Sequence, residues 1–185
     1  MRFLVPILVA AVALPATASA TPSARWLSFA RLLHGSPRMG SQFAPVLGTA
    51  VLVVDNADNA PTESDAFLDE PSVTRINQTN WRRSFVLGVF ATWPTRGYDV
   101  TIRRISLQHI GGGAQQLCVL AAVKTPAPGR VVLQERTTTY DIVTVRRRPA
   151  NLVAPTSVVV RGMHGRLLYA NKDDHPVRPD VCHAS

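Results

Sequence analysis

After its first fifteen residues the sequence has no apolar run long enough to cross a bilayer as a helix, which takes about 20 residues. It has two cysteines, two lysines (Lys124 and Lys172) and few aromatics. It contains no G-x-S-x-G elbow, no H-E-x-x-H helix and no glycine-rich loop followed by Lys and Ser/Thr. These absences exclude the motif-bearing serine hydrolases, zinc peptidases and nucleotide-phosphate enzymes. Cys118 lies in apolar strand sequence, where a thiolate is disfavoured, so it is a poor nucleophile. The histidines, His34, His109, His164, His175 and His183, are scattered, and each lies in or beside turn sequence. No acid, base or nucleophile has a recognisable partner, and the expectation is a protein that is not an enzyme and needs no cofactor. In the tail, Asp173, Asp174, His175, Cys182 and His183 are legitimate ligand types, but their spacing matches no closed zinc site, so no metal is expected.

What is present begins with an export signal. Arg2 supplies the positive start, residues 3–15 are apolar, and Ala18-Ser19-Ala20 forms an A-x-A cleavage site. No cysteine follows that site, which argues against a lipid anchor. The expected mature protein is residues 21–185, secreted or extracytoplasmic, soluble, and long enough for one domain with its own core. Without Arg2 it keeps 19 basic and 12 acidic residues, a net charge of +7 that favours acidic partners such as wall polymers, anionic lipid or an acidic protein. Export makes nucleic acid an unsuitable partner. The arginine bias points toward a bacterium, where the Asn77-Gln78-Thr79 glycosylation triplet is usually silent. Cys118 and Cys182 leave two readings open: a disulfide tying the tail to a core strand, or a buried Cys118 beside a loose Cys182.

Strand signals dominate the rest. Short runs rich in Val, Ile, Leu, Phe, Thr and Tyr, each closed by Gly, Pro, Asn or Asp, occupy residues 26–33, 50–54, 84–91, 98–110, 115–124, 131–136, 138–147, 157–161 and 166–170. Residues 63–70, "ESDAFLDE", read as a short helix ended by Pro71. The short links "IGGGAQ" (110–115), "TPAPGR" (125–130) and "GMHG" (162–165) read as hairpin connections and oblige antiparallel neighbours. Residues 117–123 are apolar on both faces, as in a central strand. Along residues 98–110, Val100 and Ile102 share one phase while Ile105 and Leu107 continue in the other. A bulge at Arg103-Arg104 restores all four to one face and bends the strand. The fold class is therefore mostly β, an antiparallel, twisted β-sandwich or partly open barrel with at most one or two short helices. A single domain spans residues 21–171, and residues 172–185 form a flexible tail unless Cys182 anchors it. The pairs Arg82-Arg83 and Arg103-Arg104 and the run Arg146-Arg147-Arg148 read as solvated surface that discourages edge pairing, or as a band for acidic polymer.

The stretch "TWPTRGYDVTI" (92–102) turns sharply into a strand. Pro94 fixes φ, Gly97 accepts conformations closed to other residues, and Tyr98 combines a buriable ring with a polar tip. Together with "SFVLGVF" (84–90), "PTRGYDVTIRRI" (94–105), "TPAPGRVV" (125–132) and "TTTYDIVTV" (137–145), it resembles the C-terminal domain of the protease-complex-subunit PrcB family. That pattern is a strand ending in Gly, a P-T-G-G-Y-x-V-x-I segment, a P-x-P-G turn and a strand beginning near T-x-P-Y. Arg96 replaces one glycine of the pattern, and Thr139 stands where the family often has proline. The resemblance covers about residues 84–147 and implies a non-catalytic, protein-binding domain associated with an extracellular protease, with Trp93, Pro94, Thr95, Arg96, Gly97 and Tyr98 as the presented loop. A second likeness is to chagasin-type inhibitors, which display an N-P-T-T-G-Y loop, a glycine-rich loop and an R-P loop at one end of a sandwich. Residues 93–98, Gly111-Gly112-Gly113 and Arg148-Pro149 follow that order here.

Overall fold

Alternating apolar residues make each strand two-faced, and two sheets stack to bury the shared apolar side. The computed structural model describes residues 25–37, 47–60, 68–110, 114–147, 157–170, 177–179 and 182. Its elements are β1 (Arg25–Trp26), β2 (Phe29–Gly35), β3 (Gly48–Val54), α1 (Glu70–Asn77), β4 (Ser84–Trp93), β5 (Asp99–His109), β6 (Gln115–Lys124), β7 (Thr137–Arg146), β8 (Ser157–Gly162) and β9 (Leu167–Ala170). One sheet has the order β1-β5-β6-β8-β9 and the other β2-β7-β4-β3. The protein is a β-sandwich, as its strand pattern implies, with a single helix among the described elements.

Between the sheets lie Phe85, Leu87, Val89 and Ala91 of β4, Val143 and Val145 of β7, and Leu117, Val119 and Ala121 of β6. Val100, Ile102, Ile105 and Leu107 join them. The register of β5 on β6 shifts between Ile102 and Arg104, so the bulge legible in the sequence is present and puts all four side chains inward. The opposite faces are covered too. Val73 and Ile76 of α1 pack with Val86, Phe90, Tyr140 and Ile142 on the outside of the four-stranded sheet. Cys118, Val159 and Cys182 cluster on the outside of the five-stranded sheet.

The structure corrects several expectations. Residues 131–136 form no strand; they belong to a long crossover from β6 in one sheet to β7 in the other, so "TPAPGR" does not close a hairpin. The apolar Val131 and Leu133 that suggested a strand are exposed there. The expected helix over residues 63–70 lies, save for its last three residues, outside the described ones. Pro71, read as its end, stands in the first turn of α1, where its missing N–H costs nothing, and Asp69 caps that turn by accepting from the Ser72 N–H. Residues 26–33 divide into β1 and β2, which belong to different sheets. The β8–β9 hairpin forms at "GMHG", as read, and β8 also pairs with β6 in parallel within the same sheet.

Candidate functional site

At one end of the sandwich, β4 leaves its sheet at Trp93 and the chain re-enters the other sheet at Asp99. Trp93 points inward and closes that end of the core. Its indole N–H donates to Thr139 Oγ1 at 3.1 Å, and its ring stacks on Tyr98 with centroids 4.8 Å apart and planes 12° from parallel. Arg96 braces the corner from outside. Its Nη2 lies 2.6 Å from Glu135 Oε2, and its backbone N–H donates to the Leu133 carbonyl. Gly97 has φ +93°, and a Cβ there would come within 3.2 Å of Pro126 Cγ, so glycine is needed for both conformation and close approach. The corner and the 125–136 crossover are thus locked together.

The six residues singled out in the sequence therefore divide. Trp93 and Pro94 line an apolar cleft of about 770 Å³, Thr95 is half-buried and outside that lining, Arg96 and Gly97 face the crossover, and Tyr98 supports Trp93 from behind. The remaining walls come from the start of β3 (Gly48, Thr49), the end of β6 (Ala122, Val123) and the β8–β9 turn (Met163, His164). Its rim carries Leu47, Met163 and Leu167, which are 52, 47 and 46 % exposed and are grouped at one cleft instead of scattered singly. None of these rim residues was legible as functional from sequence. The available signal was the methionine and leucines flanking two glycines in "GMHGRLL".

Compared with protein-family models, curated proteins and solved structures, the chain matches none. The functional conclusion rests on the geometry of this end of the sandwich. In the inhibitor likeness, that geometry sets the 93–98 loop apart from the described flanks of the other two. Trp93 pairs with Thr137 at the cleft end, while His109 pairs with Gln115 and Ser84 with Arg146 at the far end. The glycine loop and Arg148-Pro149 lie outside the described residues, but their flanks, Ile110, Ala114 and Arg147, stand at the end opposite Trp93.

Two further clusters are structural. Asp141 is fully buried between the sheets. Its Oδ2 accepts from the Ile102 N–H at 2.7 Å, the amide beside the β5 bulge, and its Oδ1 accepts from Arg31 Nε at 2.9 Å. His34 reaches it from β2, with Nδ1 3.3 Å from Oδ1 and Nε2 3.3 Å from Asp99 Oδ2. On the outer face of the five-stranded sheet, Cys118 and Cys182 form a disulfide. The Gln116 side chain accepts from the Arg178 N–H at 2.8 Å and donates to its carbonyl at 3.0 Å, and Arg161 donates to the Pro179 carbonyl. The tail is therefore anchored at residues 177–179 and 182. Apart from Cys182, the polar cluster Asp173, Asp174, His175 and His183 lies outside the described residues. Among the described residues, no group of three or more His, Cys, Asp or Glu side chains is placed to hold a metal, and no helix is long and apolar enough to cross a membrane.

Proposed function

We propose that this chain is an exported, non-catalytic protein-binding domain that works as a partner subunit of an extracellular protease, the role implied by its PrcB-like motifs. The observation that carries the proposal is the apolar cleft beside Trp93 and Pro94, framed by exposed Leu47, Met163 and Leu167. An extended apolar segment of a partner fits such a site. It buries the rim leucines and the methionine, at roughly 25 cal/mol per Å², against a wall held rigid by the Trp93–Tyr98 stack and the Arg96–Glu135 pair. The braced corner needs no rearrangement to receive it.

The test is capture from the extracytoplasmic fraction of the native organism on immobilised residues 21–185, beside the same bait carrying Met163→Glu and Leu167→Glu. Both positions are exposed, so the fold tolerates the changes. A protease retained by the first bait and lost by the second is the expected result. A protein profile identical on both baits overturns the assignment of the cleft.

A further inference from the structure

Some of the arginines are structural. Arg31, Arg96, Arg147 and Arg161 hold the fold together, bonded to Asp141, Glu135, the Asp55 and Ser84 carbonyls, and the Pro179 carbonyl respectively. Arg25, Arg103, Arg104 and Arg146 are exposed and gather around the link between β1 and β2. The backbone places them there: the Leu27 N–H donates to the Ile105 carbonyl on one side of the link, and the Arg146 N–H donates to the Ser28 carbonyl on the other. The bulge contributes directly, because it turns both Arg103 and Arg104 outward at adjacent positions. Beside Arg103 and Arg104 stands Trp26, 51 % exposed, with the Arg104 guanidinium 5.5 Å from its ring centroid. A shallow recess is lined by Trp26, Leu27, Phe29, Arg103 and Arg104. The strands of this sheet contain one carboxylate, Asp99, at the cleft end, so among the described residues the charged side chains beside Trp26 are arginines.

We infer that this edge docks on an anionic phospholipid bilayer. Arginines meet lipid phosphates with paired N–H donors, and a half-exposed tryptophan among them suits the interfacial layer, where one side of the ring is apolar and the other wet. A dissolved acidic polymer would use the charge but leave the exposed indole without a purpose. The link lies along the β2 edge of the sandwich, whereas the cleft opens between the start of β3 and the β8–β9 turn, so docking leaves the cleft accessible.

The experiment is vesicle co-sedimentation of residues 21–185, which contain every described element, with phosphatidylcholine alone and with about a third phosphatidylglycerol. Binding to the anionic vesicles only is expected, falling about thirtyfold in Arg103→Gln/Arg104→Gln and also reduced in Trp26→Ala. The variant Arg130→Gln/Arg136→Gln, with equal charge loss on the distant crossover, is expected to stay within about twofold, because screening confines the attraction to nearby charges. Equal losses in the two double variants overturn the assignment of the surface. Absence of vesicle binding, or binding to soluble polyglutamate in its place, overturns the membrane.

Discussion

At the scale of single residues, Asp141 has the most consequential position. A β-bulge leaves its strand with a ladder interruption, and here Asp141 reaches across from the other sheet to accept the adjacent Ile102 N–H. It also receives Arg31 from β2, where a second register shift falls between Arg31 and Leu33. One carboxylate therefore joins irregularities in both sheets. Asp141→Ala leaves a buried amide and a guanidinium without their acceptor, and is expected to lower unfolding free energy by about 3 kcal/mol in denaturant titration. A loss under about 1 kcal/mol would show that water replaces the carboxylate at little cost. Nothing local in "TTTYDIVTV" revealed this role. A lone acid in an apolar strand was visible, but its partners lie 39 and 110 positions away in the chain.

At the scale of elements, the outer face of the four-stranded sheet, on which Val73 and Ile76 of α1 pack, has no room for a side chain at Gly88. A Cβ there would meet Phe90 Cε2 at 3.0 Å, Ile142 Cγ1 at 3.3 Å and Leu52 Cβ at 3.3 Å. Gly88→Ala is expected to cost about 1–3 kcal/mol through overpacking, although alanine suits a strand better than glycine. Thermal unfolding checks this, and a variant as stable as wild type would mean that the Phe90 ring moves aside freely. The strands themselves were largely legible. Alternation is written residue by residue, and the phase change between Ile102 and Ile105 located a bulge without any knowledge of its partner strand. The 125–136 crossover was not legible, because Val131 and Leu133 carry β-forming side chains yet remain exposed. The parallel pairing of β8 with β6 was equally hidden, since it joins segments 41 positions apart that no local pattern connects.

At the scale of the whole molecule, the disulfide closes a separation of 64 residues and fastens the tail across the outer face of one sheet. Removing it with Cys118→Ala/Cys182→Ala is expected to cost about 4 kcal/mol, mainly by freeing the unfolded chain, and to expose the backbone of residues 177–179 and 182 to proteinase K. A tail equally resistant to proteinase K in that variant would show that Gln116 and Arg161 suffice as anchors. In the proposed reading, Trp93 and its cleft meet a protein partner, while Trp26 and its arginines meet a charged surface. The site was half legible: Trp93 and Pro94 stood out in the chain, whereas Leu47, Met163 and Leu167 join them only through folding. The most direct measurement is the capture experiment run with a third bait, Arg103→Gln/Arg104→Gln, beside wild type and Met163→Glu/Leu167→Glu. The arginine variant is expected to retain the same protease as wild type, and the cleft variant to lose it. Retention by the cleft variant, with loss by the arginine variant, would contradict the account by moving the protein-binding surface to the other side of the sandwich.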